Sequence, residues 1–326
     1  MSIQHIYQDS KFAYKIKWTA TLDCNYKCEY CYQRELRQKS ESHPTQERLE
    51  FAANQISKMI YFINVKNVEF IVLGGEMTLF DCKRILKPLI DNQLVGKVTL
   101  TTNLSNTAEY YNDLCAFLGP KLKLKASFHN SQVDIDSFIE KAKKIKDLRS
   151  VNSVLTEDNI SNLIKLSKNF KHTTILNCFD YKTHKAILVK NKKYRDSLSL
   201  LRRLNNQDDE RRLHIEIKED SGLIRKTDIH GFRMTYADEV LKDMYCTSSG
   251  ININPDGLVA HGQCRAWLNR PLGNIYEDYH FSLSTKPIVC ESGDKCRLEL
   301  VRSVSKVEET VEDLSISESK DAEKWW

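Results

Sequence analysis

Two periodicities alternate along the first half of the chain. In KIKWTATLD (15–23) apolar residues fall at every second position, the pattern of a strand that packs one face on a core. PTQERLEFAANQISKMIYFI (44–63) places them three and four apart, which predicts an amphipathic helix. Thr45 opens it with a partial cap signal, because Arg48 and not Glu stands at the third position. Strand patterns then recur in VEFIVLGGE (68–76), KVTLTTN (97–103), LKLKASFHN (122–130), RSVNSVLTE (149–157) and HTTILNCFD (172–180). Helical patterns lie between them at 81–93, 110–119, 135–147 and 160–170, with Pro88 marking a kink in the first of these.

Strands that alternate with helices predict β/α units around a parallel sheet. Six such units fall short of a closed eight-unit barrel, so the expected α/β fold is a partial (β/α)6 barrel of the TIM type, open on one side. Active sites on that scaffold gather at the C-terminal strand ends. Cys24, Cys28 and Cys31 follow the first strand, and Gly74-Gly75-Glu76 the second. Thr102-Asn103, Ser127, Asn152 and Asn177 stand at or near the ends of later strands.

Past residue 181 the pattern changes. A helix is predicted over 194–204, a hairpin over 212–229 around Ser221-Gly222, and a second over 250–264 turning at Pro255-Asp256-Gly257. The expected organisation is a barrel over 1–205, a small α+β cysteine-rich domain over 206–302, and an acidic flexible tail over 303–326 that ends in Trp325-Trp326. No internal repeat or low-complexity linker interrupts it.

The net charge of +5 permits an anionic partner without demanding nucleic acid. No basic tract is interleaved with aromatics, which weighs against a nucleic-acid partner, and no lysine or arginine set along the sequence specifies a phosphate. There is neither an apolar run of membrane-spanning length nor the apolar core of a signal peptide, so the expected location is the cytoplasm, with no membrane partner. In a reducing compartment, clustered cysteines point to metal or catalysis. Seven of the ten cysteines fall into two groups, while Cys82, Cys115 and Cys178 stand alone and read as small buried side chains.

The first group lies in LDCNYKCEYCYQ (22–33). A structural zinc site and a closed iron–sulfur cluster each take four ligands. Here there are three, and His5 and His43 are distant along the chain. Three thiolates can hold three irons of a four-iron cluster and leave the fourth open to a small molecule.

Cys-x3-Cys-x2-Cys after a first strand, Tyr30 before the last cysteine, and GGE after the second strand together resemble the radical S-adenosylmethionine superfamily. The resemblance implies a 4Fe-4S cluster on Cys24, Cys28 and Cys31 whose open iron chelates S-adenosylmethionine. One-electron cleavage then yields a 5′-deoxyadenosyl radical that takes a hydrogen atom from a substrate. It further implies that Tyr30 lies near adenine, and that Gly74, Gly75 and Glu76 meet the methionine ammonium. Asn103 and Ser127 are implied to bond the carboxylate or ribose, and Asn152 and Leu155 to border ribose and adenine. A plain turn at the glycines and ordinary capping of the strand ends stay open as alternatives. His129, two residues beyond Ser127, is a candidate to bond a substrate.

The second group is Cys246, Cys264, Cys290 and Cys296, with an NPDG-x6-C element at 254–264. It resembles the twitch domain, a shortened relative of the SPASM domain, and implies a second, auxiliary 4Fe-4S cluster. One zinc on four thiolates, or a set in which His261 replaces a cysteine, remains open. The implied substrate is first a ribosomally made peptide or a protein side chain. The second reading is a small molecule such as an aminocyclitol, sugar or nucleotide, and the third a zinc-stapled binding module without enzymatic activity. Only 23 residues precede Cys24, so no leader-recognition domain is expected there. The electron donor would be a flavodoxin or ferredoxin.

Overall fold

The structure, a computed structural model, describes residues 3–8, 14–31, 33–39, 43–63, 66–177, 214–228, 243–261, 271–277, 288–290 and 301–305. After β1 (Ile3–Gln8), the chain runs β2 (Tyr14–Thr21), α1 (Arg34–Lys39), α2 (Gln46–Ile63), β3 (Val68–Gly74), α3 (Cys82–Asp91) and β4 (Val95–Thr102). It continues through α4 (Ala108–Leu118), β5 (Leu122–Phe128), α5 (Ile135–Lys143), β6 (Leu148–Leu155), α6 (Ile160–Asn169) and β7 (Thr173–Asn177). The later strands are β8 (His214–Glu219), β9 (Ile224–Asp228), β10 (Tyr245–Ser248), β11 (Gly250–Ile253), β12 (Leu258–Ala260), β13 (Gly273–Asn274), β14 (Ile288–Val289) and β15 (Val301–Ser305).

Strands β2 to β7 pair in parallel and in sequence order, with the helices as crossovers. This is the expected partial (β/α)6 barrel. Side-chain caps start its helices: Asp81 accepts from the backbone N–H of Lys83 and Arg84, Thr107 from Tyr110, and Asp134 from Asp136 and Ser137. Thr45 accepts from Arg48 N–H at 3.3 Å, so the partial cap signal marked a real start. Helix α3 runs on through Pro88.

One face of each strand meets the helices. Ile16 and Trp18 of β2, Phe70 and Val72 of β3, Leu100 of β4, and Leu124 and Phe128 of β5 are buried there among α2 to α5. Each side chain of this size contributes about 1.5–3 kcal/mol on full burial. The opposite, inner face has another character. Strict alternation puts Lys15 and Lys17 of β2, Glu69 of β3, Lys97 of β4 and Lys125 of β5 on it. Register aligns Lys15, Glu69 and Lys97 in one row, and pairs Thr101 with Lys125 in a higher one. This lysine set is scattered over more than a hundred residues of chain and assembled only by strand pairing.

Three pairings join the two ends of the chain. β11 adds to the barrel sheet by parallel pairing with β2, and β12 and β13 extend that edge. β1 lies between β8 and β15 in a second, antiparallel sheet that β9, β10 and β14 complete. The predicted hairpins are β8–β9 and β11–β12. β15 runs three residues into the segment expected to be tail. The predicted helix over 194–204, with Cys178, Cys264, Cys296 and Trp325-Trp326, lies outside the described residues. Among the described residues no helix is long and apolar enough to cross a membrane.

Candidate functional site

The loop after β2 is docked on the ends of the neighbouring strands. The Gly75 N–H donates to Thr21 O at 2.7 Å, and the Glu76 N–H to Asp23 O at 2.6 Å. This approach requires glycine. A Cβ on Gly75 would stand 1.9 Å from the Asp23 carbonyl oxygen, and Gly74 has φ +142° with Thr21 O at 2.3 Å from its virtual Cβ. The GG pair thus seats the cysteine loop itself.

Glu76 is fully buried. Its Oε1 accepts from Thr78 N–H at 3.1 Å, Thr78 Oγ1 at 2.6 Å and Thr102 Oγ1 at 2.8 Å, and its Oε2 from Asn103 N–H at 2.6 Å. Burial pushes its carboxyl up, and these donors oppose that shift. The side chain clamps the end of β3 to the end of β4. Glu76→Gln should cost about 2–4 kcal/mol of stability, because an amide turns an NH2 group toward one of two fixed backbone donors. A denaturation midpoint equal to that of the parent chain would show that the clamp does not bear on folding.

Each of the three sulfurs has a nitrogen near it. Cys24 Sγ accepts from Tyr26 N–H at 3.4 Å and lies 3.8 Å from Asn103 Nδ2. Cys28 Sγ stands 3.4 Å from His129 Nδ1, and Cys31 Sγ 3.9 Å from Arg37 Nη2. Arg37 also donates through Nη1 to Cys24 O and Tyr26 O, both at 3.3 Å, and so straps the loop to α1. Burial pushes the Cys24 and Cys28 thiols up; the Tyr26 N–H pulls Cys24 down, and a Tyr30 hydrogen bond does so for Cys28.

His129 is the hub of the loop. Tyr30 stacks on it with centroids 6.0 Å apart and its hydroxyl 3.0 Å from Nδ1, and Tyr26 meets it edge-on at 5.7 Å. Burial lowers its pKa from 6.5 to about 4, so the ring is neutral. The tautomer decides whether Nδ1 donates to Cys28 or accepts from Tyr30. His129, a candidate substrate contact from its sequence position, here holds the loop through Tyr26, Cys28 and Tyr30.

The other candidates divide. Asn103 donates to Asn25 Oδ1 at 2.8 Å and accepts from Ser105 N–H at 3.0 Å, which commits it to the loop. Ser127 and Asn152 are register partners on the inner face, and Asn152 Oδ1 is buried without a hydrogen-bond partner among the described residues. Leu155 does not join them. It faces the helices and packs with Ile160 and Leu163, because an odd step from Asn152 points it to the other side of β6. Arg37, Asn25, Tyr26 and Thr78 carry no sequence signal as site residues, whereas Thr102 stands at a strand end, where the sequence places the site. Arg37 comes nearest to one, six positions after Cys31 on a short helix.

Cys82 and Cys115 are buried, as expected for solitary cysteines. Burial pushes the Cys82 thiol up to about 12, and its Sγ donates to Met77 O at 3.3 Å. In the second cysteine group, Cys246 of β10 pairs with Ile288 of β14, and Cys290 N–H donates to Met244 O at 2.8 Å. Continuing that register puts Cys246 and Cys290 on one face of the strand pair, as diagonal neighbours.

Among the described residues, no three His, Cys, Asp or Glu side chains converge as ligands of a single metal ion. Cys24, Cys28 and Cys31 share one loop, and each has a nitrogen close to its sulfur, so they could serve as thiolate ligands.

No protein-family model and no curated protein matches the sequence. Solved structures do match the fold. Native anSMEcpe with bound AdoMet aligns with a TM-score of 0.52 at 20% identity, over 82% of this chain and 79% of that one. Native anSMEcpe with bound AdoMet and Cp18Cys peptide aligns with a TM-score of 0.51 at 18% identity, over the same shares. This chain and anSMEcpe share a fold.

Proposed function

We propose that the chain is a radical S-adenosylmethionine enzyme. The observation that carries this reading is the loop of Cys24, Cys28 and Cys31, seated at the barrel mouth by Gly75 and Glu76 with a nitrogen beside every sulfur. Cys24, Cys28 and Cys31 would hold a four-iron cluster there, and it would supply the one-electron reduction that cleaves S-adenosylmethionine to a hydrogen-abstracting radical. The protein's part is to hold, orient and shield. Arg37 and Asn103 fix the loop, and Tyr30 on His129 walls one side of it. Ser127 and the unpartnered Asn152 Oδ1 offer hydrogen bonds at the strand ends, where ribose hydroxyls would donate. The AdoMet bound by the structural neighbour anSMEcpe supports the same reading.

The first substrate reading is a peptide or protein side chain. The neighbour bound to the Cp18Cys peptide supports it. The basic inner face of the sheet favours a second reading, a small molecule that carries negative charge. An auxiliary four-iron cluster on Cys246, Cys264, Cys290 and Cys296 belongs to the proposal, supported by the shared face of Cys246 and Cys290. Anaerobic reconstitution followed by iron and sulfide analysis tests both clusters. The expected result is roughly eight irons per chain and release of 5′-deoxyadenosine when reductant and S-adenosylmethionine are added. Zinc in place of iron, with no cleavage, would overturn the reading and favour a metal-stapled binding module.

A further inference from the structure

The inner face of the sheet gathers more positive charge than the fold can use. Lys97 forms an ion pair with Glu69, and both side chains are nearly enclosed, with 12% and 13% of their surfaces exposed. Glu69 is also the one carboxylate among the charged groups that act most on Lys125, against Lys17, Lys97 and Arg149. On Lys15 as well, Glu69 opposes Lys17 alone. Among the described residues, one carboxylate, Glu69, already paired with Lys97, acts on Lys15 and Lys125. The Lys125 ammonium has no hydrogen-bond or ion-pair partner among the described residues. Beside it, Thr101 Oγ1 is buried without a partner.

A half-buried cation without an ion-pair or hydrogen-bond partner of its own weakens a fold. Nothing in the strand pattern demands lysine there, since Ile71 and Leu73 occupy the same face of β3. Lys125 lies two residues below Ser127, so its Cα is about 7 Å under the strand end at the usual rise per residue. Its side chain is long enough to meet a group that enters from the mouth where the cysteine loop sits.

We propose that this inner face is an anion-binding site, in which Lys125 and its basic neighbours hold a phosphate or carboxylate group of the substrate beneath the cysteine loop. The placement beneath a reacting centre rests on the proposed radical chemistry, while the anion site itself does not. The substrate would be an anionic molecule anchored by its charge, with a C–H bond held up toward the mouth.

Inorganic phosphate and acetate are the probes, titrated calorimetrically into the full, reconstituted chain at low ionic strength. Saturable binding of one phosphate is expected, and Lys125→Met should weaken it roughly ten- to hundredfold, as for loss of a charge-assisted hydrogen bond. Lys87→Met, which removes an exposed lysine paired with Asp91 on α3, should leave binding unchanged. Phosphate bound well ahead of acetate identifies a phosphorylated substrate; comparable binding of both identifies a carboxylate. Thermal melting gives the second readout. Lys125→Met should melt higher than the parent without anion, and should lose the rise that phosphate gives the parent. Absence of saturable binding of either anion, or binding unaltered in Lys125→Met, overturns the site. 5′-Deoxyadenosine formation by the same preparation is scored separately, so failure of the radical chemistry with anion binding intact overturns only the former.

Discussion

Cys28→Ala is expected to bring 5′-deoxyadenosine formation to background and to remove roughly four of eight irons per chain. The same should hold for Cys24→Ala and Cys31→Ala, because a cluster held by three thiolates has no spare ligand. Cys28 is the most telling of the three. It is buried, and its sulfur touches the His129 hub that also holds Tyr30. Alanine there removes a ligand and leaves the imidazole without its sulfur contact. Cys82→Ala is the matched control. Burial pushes its thiol up, and it bonds Met77 O and Tyr110 rather than the cysteine loop, so iron and cleavage should survive. Iron content and product are measured on one preparation. A Cys28→Ala protein that still cleaved S-adenosylmethionine at the parent rate would sink the assignment of the loop.

Gly75→Ala should produce the largest loss of stability of any single methyl addition at the site. Its Cβ would lie 1.9 Å from the Asp23 oxygen and 2.5 Å from the Asp23 carbon, both backbone atoms that cannot rotate aside. The loop must shift bodily, breaking the 2.7 Å bond from Gly75 N–H to Thr21 O and the 2.6 Å bond from Glu76 N–H to Asp23 O. Overpacking with loss of two buried hydrogen bonds costs about 3–5 kcal/mol. Gly119→Ala gives the scale. It has open space around its virtual Cβ but a φ of +80°, so only backbone strain of about 1 kcal/mol is expected. Denaturant midpoints compare the two. Equal midpoints for Gly75→Ala and the parent would mean that the two segments do not approach as described.

The glycine pair shows what geometry adds to a motif. The resemblance implies that Gly74, Gly75 and Glu76 meet the methionine ammonium. The geometry makes GG a seat for the cysteine loop, and turns Glu76 inward onto Thr78, Thr102 and Asn103. His129 shows the converse. It was noticed for its place at a strand end, but its partners Tyr26, Cys28 and Tyr30 lie about a hundred residues earlier, and no local pattern links them. Leu155, which the resemblance puts at the border of ribose and adenine, turns its side chain to Ile160 and Leu163 by alternation along β6.

The sequence by itself determined whatever is written in short-range spacing. The alternation of strand and helix periods specified the parallel β/α units, and the three close cysteines specified a thiolate loop at the first strand's end. Both follow from local rules, a period of two or 3.6 and the reach of a short loop. Only the tertiary structure decided what depends on strand register. It brought β11 against β2 and β1 against β8 and β15, and aligned Lys15 and Lys97 beside Glu69 with Lys125 in a higher row. It also closed the hydrogen bonds of Glu76 with donors from β4. Those lysines read along the chain as the polar half of ordinary alternation. Their meaning is electrostatic, and charge adds up through space, across strands that sequence order keeps apart.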